Sequence, residues 1–169
     1  MIKTTDKHVF FYTEWPSNFY KTSFKWKKFG EEHEFFCTEQ AFMWAKAKFF
    51  GDEKTAQKIL AVKDDPMKCK KLGREVKPYD NGKWDVVRYE MMLEPNVERF
   101  WQDKKLREKI IDKRFDGLTF VEASPHDKVW GVGLALDDPK IVSEKNWLGR
   151  NLLGRVLTEV RAEMLRRKN

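Results

Sequence analysis

The chain has 169 residues, with 34 Lys and Arg against 27 Asp and Glu, a formal charge of +7, and 13 Phe, 7 Trp and 4 Tyr. That length fits one domain spanning 1–169 with a sizeable core, and two cysteines are too few for a disulfide framework. No apolar run approaches the roughly 18 residues of a membrane span, and the N-terminus lacks an apolar stretch of signal length, so the expectation is a soluble, cytoplasmic protein, most simply a monomer.

His8, His33 and His126 have no ligand spacing, which argues against a structural zinc. The positive balance suits phosphate-bearing partners and equally suits the ordinary solubility charge of a small domain. No internal repeat, Pro-rich linker or low-complexity run divides the chain.

Residues 9–12 are short and β-prone and predict a first strand. EWPSN at 14–18 is turn chemistry, with Pro16 stiffening the backbone and Ser17 and Asn18 able to bond it locally. Segments 24–29 and 34–37 flank 30–33 and predict a hairpin leading into the next helix.

That helix, TEQAFMWAKAKFFGD at 38–52, is the centre of the chain. Thr38 is a good N-cap, Glu39 lies in the first turn, and Gly51 follows the last periodic residue. Its apolar residues cover nearly every face, which marks a buried helix. Glu39 and Lys46 are seven residues apart, close to two turns, so they share a stripe about 10 Å apart along the axis. Lys48 lies on another face and has an edge by which to reach solvent. One reading has Lys46 extending its ammonium to water while Glu39 interacts with the helix dipole. The other has a desolvated amine beside a general acid/base. A lysine of pKa about 10.4 is only about 0.04% neutral at pH 7, and lowering it to about 7 raises that fraction about a thousandfold.

Residues 52–62 predict a second helix, and 66–72 a third that stops at Gly73. Arg74, just after it, has the planar fork to hold an anion, or to form a surface ion pair. Asn81-Gly82 marks a turn before a helix at 83–100, which carries Trp84 in its first turn and Arg88 one turn on. Trp84 reads as a stacking face for a base or as a core residue. A charged helix follows at 103–114. The stretch 118–123 is the clearest strand; it delivers Glu122 and opens into a loop with Asp127, Trp130, Gly131 and Gly133, glycines that let backbone approach a ligand closely. A polar loop at 137–146 and a final helix at 151–166 complete the chain.

Taken together, WPSNFY at 15–20, EQAFMWAKAKFFGD at 39–52, GREVKPYDNGKWDVVRYEMM at 73–92, VEASPHDKVWGVGL at 121–134 and NWLGRNLLGRVLTEVR at 146–161 resemble the NADAR (YbiA-like) family over about 9–161. The resemblance implies an α+β fold, predominantly helical, with a small, mostly antiparallel sheet. It implies N-glycosidase chemistry at ribose C1′, on ADP-ribosylated guanine in nucleic acid or on phosphoribosylamino-pyrimidine intermediates of riboflavin synthesis. Lys46 occupies the position of a lysine that forms a transient Schiff base, and Glu39, Trp84, Asp127 and Trp130 match the family's site positions. On this reading Lys46, Glu39 and Asp127 are catalytic. Asn18, Arg74, Trp84, Arg88, Glu122, Trp130, Gly131 and Asn151 bind substrate, and neither metal nor redox cofactor is needed. A non-catalytic nucleotide-binding or nucleic-acid-binding module is the alternative, as is a catalytically dead ADP-ribose reader. The run Phe42-Met43-Trp44 departs from the Tyr/Gln-rich run of some members, which bears on pocket shape.

Overall fold

A computed structural model describes residues 2–168. In chain order its elements are strands β1 (Lys3–Thr4), β2 (His8–Phe11), β3 (Phe24–Lys28) and β4 (Glu31–Phe35), and helices α1 (Thr38–Phe49), α2 (Glu53–Leu60), α3 (Pro66–Gly73), α4 (Asn81–Gln102) and α5 (Lys104–Ile110). Strand β5 (Thr119–Glu122) and helix α6 (Leu152–Lys168) follow, with short 3-10 turns at Lys113–Phe115, Pro139–Val142 and Glu144–Asn146. The architecture is α+β and mainly helical. Its elements fall into two compact units, residues 18–103 and the combination of 2–17 with 104–168.

In the 18–103 unit α1 is the central element, packed by α2, α3 and α4 and touched by β4. This is why its side chains from Thr38 to Ala45, and Ala47, are buried. The helix is capped one residue earlier than the sequence suggests: the Cys37 sulfur accepts the Gln40 N–H at 3.4 Å, while Thr38 turns its hydroxyl toward Asn96. Gln40 braces α1 against the end of α2, donating to the carbonyls of Ile59 and Val62, both at 3.0 Å. Lys48 does not escape to solvent; it is held by Glu31 and by Glu53, the latter at 2.6 Å.

The β3–β4 hairpin turns at Phe29-Gly30 rather than across 30–33, both residues having positive φ (53° and 76°). Two left-handed residues in succession match the twist of a tight hairpin, so β4 starts at Glu31 and ends at Phe35. Its inward residues build an aromatic cluster in which the Trp44 ring meets those of Trp26, His33 and Phe35 at 5.2–5.9 Å between centroids. Helix α4 begins at Asn81, two residues before the sequence expectation, because the Asp80 carboxylate accepts the Lys83 N–H at 3.0 Å and caps it.

In the other unit β1, β2 and β5 form a three-stranded sheet in that order. β1 pairs antiparallel with β2, and β2 pairs parallel with β5, placing Phe11 beside Glu122. The strands thus form two small sheets; of their three pairings, two are antiparallel. Helix α6 packs on β5 and its Thr158 hydroxyl accepts the Phe120 N–H at 3.0 Å. Phe10, Val121, Ala123, Val132, Leu134 and Ile141 form the apolar core here. The charged segment expected as one helix at 103–114 divides into α5 and the 113–115 turn, where the Asp112 side chain accepts the Arg114 N–H at 2.9 Å.

Candidate active site

Lys46 is the first residue along α1 that is only partly buried. Its ammonium donates to the Gly73 carbonyl at 2.8 Å and lies 4.6 Å from the centre of the Tyr79 ring. Gly73 is the last residue of α3, so this carbonyl is one that the helix itself does not pair. The approach of α3 to α1 is close at this glycine, since a Cβ would sit 1.9 Å from the Met43 sulfur and that side chain would have to move. Half-burial is the main force pushing the Lys46 pKa below its ordinary value. The Arg88 charge adds to it, the Glu39 carboxylate opposes it, and Arg74 again lowers it.

Four sequence-predicted residues, Glu39, Lys46, Arg74 and Arg88, therefore share one electrostatic neighbourhood. Glu39 is buried in the first turn of α1, its N–H donating to the Asn18 carbonyl at 3.1 Å. Asn18 is buried too, its amide nitrogen 3.1 Å from the Met92 sulfur. Arg88 donates to Asn81 Oδ1 at 3.0 Å and pairs with Asp85 at 3.2 Å. Arg74 is exposed and forms no ion pair among the described residues.

Trp84 takes the core role. It is 4% exposed, with its ring 5.3–6.1 Å from those of Phe42, Phe49 and Phe50, and so offers no open face. The accessible ring beside the amine is Tyr79, which sequence reasoning missed. It is 45% exposed, packs on Phe50, and donates its hydroxyl to Asn81 Oδ1 at 2.9 Å. Asn81 thus receives both Tyr79 and Arg88. The available signal was PYDN at 78–81, which sets one aromatic just before the Asp80 cap of α4.

Glu122, Asp127, Trp130, Gly131 and Asn151 gather in the other unit, around the loop after β5. One Asp127 oxygen accepts the N–H groups of Val129 and Trp130, at 2.9 and 2.8 Å. The carbonyls of 128–131 accept from the N–H groups of 150–153, so the start of α6 is closed by the chain's own backbone. Asn151, at φ 52°, accepts the Glu122 N–H and donates to the Phe120 carbonyl, both at 3.0 Å. Both ends of its amide hold β5, and it acts on Glu122 by positioning it. Gly131 likewise gives its space to the protein: a Cβ there would lie 2.9 Å from the Asp127 carbonyl and 3.1 Å from that of Glu122. Among the described residues no group of three His, Cys, Asp or Glu is placed to hold a metal ion, and no helix is long and apolar enough to cross a membrane.

Small sheets and six described helices define an α+β protein, with a half-buried lysine on the central helix of one unit. The NMR structure of the E. coli protein YbiA superimposes with a TM-score of 0.73 at 24% identity, covering 98% of this chain and 89% of that one. A profile of the NADAR domain matches residues 2–165. Among named relatives, N-glycosidase R617 of Acanthamoeba polyphaga mimivirus is 35% identical over 168 residues, covering 94% of this chain and 97% of that protein. Protein irg-1 of Caenorhabditis elegans is 38% identical over 164 residues, covering 90% and 76%. The chain belongs to the NADAR family.

Proposed function

We propose that this protein is an N-glycosidase that hydrolyses a bond between ribose C1′ and nitrogen through a transient imine on Lys46. The observation that carries the reading is the Lys46 amine itself, half-buried, with its pKa held down by burial and two guanidiniums, and with the Glu39 carboxylate in electrostatic reach. The viral relative bearing the name N-glycosidase supports the reaction class.

C1′ of an N-glycoside is at the aldehyde oxidation level. The Lys46 ammonium first gives up a proton to the Glu39 carboxylate. The neutral amine then adds its lone pair to C1′ as the C1′–N bond breaks, and the departing nitrogen takes that proton from Glu39. Opening of the sugar ring transfers an amine proton to the ring oxygen and leaves a protonated imine. Water, deprotonated by Glu39, adds to it; collapse expels the Lys46 amine and releases the free sugar. Such proton transfers contribute roughly 10²–10⁴ in rate. Arg74 and Arg88 supply positive charge for a substrate phosphate. For Asp127 and Trp130 the resemblance to the family is the support, the proposed roles being to orient ribose hydroxyls and to exclude water. Glu122 is proposed to bind substrate from its place at the end of β5.

The substrates proposed are a ribose carrying guanine as ADP-ribosyl-guanine in nucleic acid, and phosphoribosylamino-pyrimidine. Each is incubated with the protein, borohydride is added, and the digest is read by mass spectrometry. A reduced sugar adduct on Lys46 is expected with at least one substrate, together with loss of turnover in Lys46→Ala at retained affinity. Absence of both turnover and adduct with both substrates overturns the enzyme reading.

A further inference from the structure

Almost all of the chain's net charge lies in two short segments. Residues 104–116 and 161–168 hold ten Lys and Arg against four Asp and Glu, a surplus of six out of the total of +7. These segments are neighbours in the same unit. Helix α5 packs on α6, and Arg161 of α6 reaches the loop after α5, donating to the Asp112 carbonyl at 3.2 Å and pairing with Asp116.

Part of this charge is internally balanced. Glu108 lies 4.0 Å from Lys104, Asp112 lies 3.6 Å from Arg114, and Glu163 holds both Arg166 and Arg167. Lys105, Lys109 and Lys113 are exposed and take no ion pair among the described residues. Helix stability does not account for the pattern. Arg166, Arg167 and Lys168 suit the negative end of α6, but Lys104 and Lys105 open α5 at its positive end, which has no acidic residue in its first turn. Cations there oppose the helix dipole. A charge set against the local preference is expected at functional or strained sites.

We propose that this basic surface, formed by α5, the 113–115 turn and the end of α6, docks the phosphate backbone of a nucleic acid without reading its sequence. The apolar residues of α5, Leu106 and Ile110, are buried against the protein, so its outer face is purely polar. A helix that lies on a membrane places apolar side chains in the interface, and none is available here. A backbone interaction needs only cations at phosphate spacing, and its strength falls with salt because releasing counterions into a concentrated solution gains less. The surface is independent of the chemistry proposed for Lys46.

The test uses the full chain and the triple variant Lys105→Gln, Lys109→Gln, Lys113→Gln, with circular dichroism to show that both are folded. Binding of fluorescent 20-mer duplexes of DNA and of RNA is measured by anisotropy between about 50 and 200 mM salt. The expected result is salt-dependent binding to at least one duplex. The variant should bind at least about tenfold more weakly and show a log–log salt slope smaller by about 2–3, near 0.9 for each phosphate no longer neutralised. Turnover of a small ribosyl substrate, wherever the parent shows it, should be unchanged. Equal affinity and slope in parent and variant overturn the proposal. So does binding by the parent to phosphatidylserine vesicles with none to either duplex.

Discussion

The Lys46 ammonium donates to the carbonyl oxygen of Gly73 at 2.8 Å, joining the last turn of α1 to the end of α3. That hydrogen bond and the Tyr79 ring at 4.6 Å both favour the charged amine, whereas burial and the charges of Arg88 and Arg74 favour the neutral one. Since the pKa is lowered overall, the folded protein binds this proton less tightly than the unfolded chain. Lys46 therefore opposes stability below its folded pKa, and the penalty fades as pH rises through the window between that value and the ordinary one. Lys46→Met is expected to unfold at higher urea than the parent at pH 7 and to lose that advantage toward pH 10.5. An advantage that grows with pH contradicts the assignment.

Tyr79 places its ring 4.6 Å from the Lys46 amine. Replacing it by Leu removes a ring that favours the cation, so the Lys46 pKa should fall further; Tyr79→Phe keeps the ring and should stay close to the parent. Reductive ¹³C-methylation followed by NMR titration reads the amine directly. Equal titration midpoints in the Leu and Phe variants refute a role for the ring.

Gly73 and Met43 are coupled by direct packing. Gly73→Ala forces a Cβ to 1.9 Å from the Met43 sulfur and 2.9 Å from its Cγ, which the side chain must vacate. Overpacking of this kind costs about 1–3 kcal/mol. Adding Met43→Ala removes the clash, so the double variant should be more stable than the sum of the singles predicts, as chemical denaturation of all four proteins would show.

Asn151 and Gly154 hold α6 to β5. A Cβ at Gly154 would come 2.1 Å from the Phe120 carbonyl, which is backbone and cannot step aside, so Gly154→Ala should destabilise by about 3 kcal/mol. Asn151→Asp keeps an acceptor for the Glu122 N–H but strips the Phe120 carbonyl of its donor, with an expected loss of about 1–3 kcal/mol. Thermal melts of both variants should show Gly154→Ala as the less stable.

Cys37 and Cys69 are fully buried, and burial pushes both thiols up to about 12. Thiolate is the reactive form, so a disulfide reagent at pH 8 should modify neither in the native protein and both once urea unfolds it. Fast labelling of either cysteine in the folded state would contradict the burial.

The residues of α1 alone announced a buried helix with Glu39 and Lys46 on one side, because an all-round apolar pattern leaves a helix no face for water. The same local logic placed the β5 strand and the final helix, whose periodicity is undiluted. Boundaries moved where a side chain outside the pattern intervened, as Cys37 and Asp80 did at two helix starts and Phe29-Gly30 did at the hairpin. Sequence left Trp84 open between a ring for a ligand and a core residue; three Phe rings bury it, and Tyr79 occupies the exposed place beside the amine. Asn151 and Gly131 looked like ligand-binding positions but serve the chain's own backbone. Such assignments depend on which surfaces meet. Spacing along the chain determines which way a residue faces on its own helix or strand, whereas burial, partner carbonyls and the balance of charges around Lys46 arise only when α1, α3 and α4 pack together.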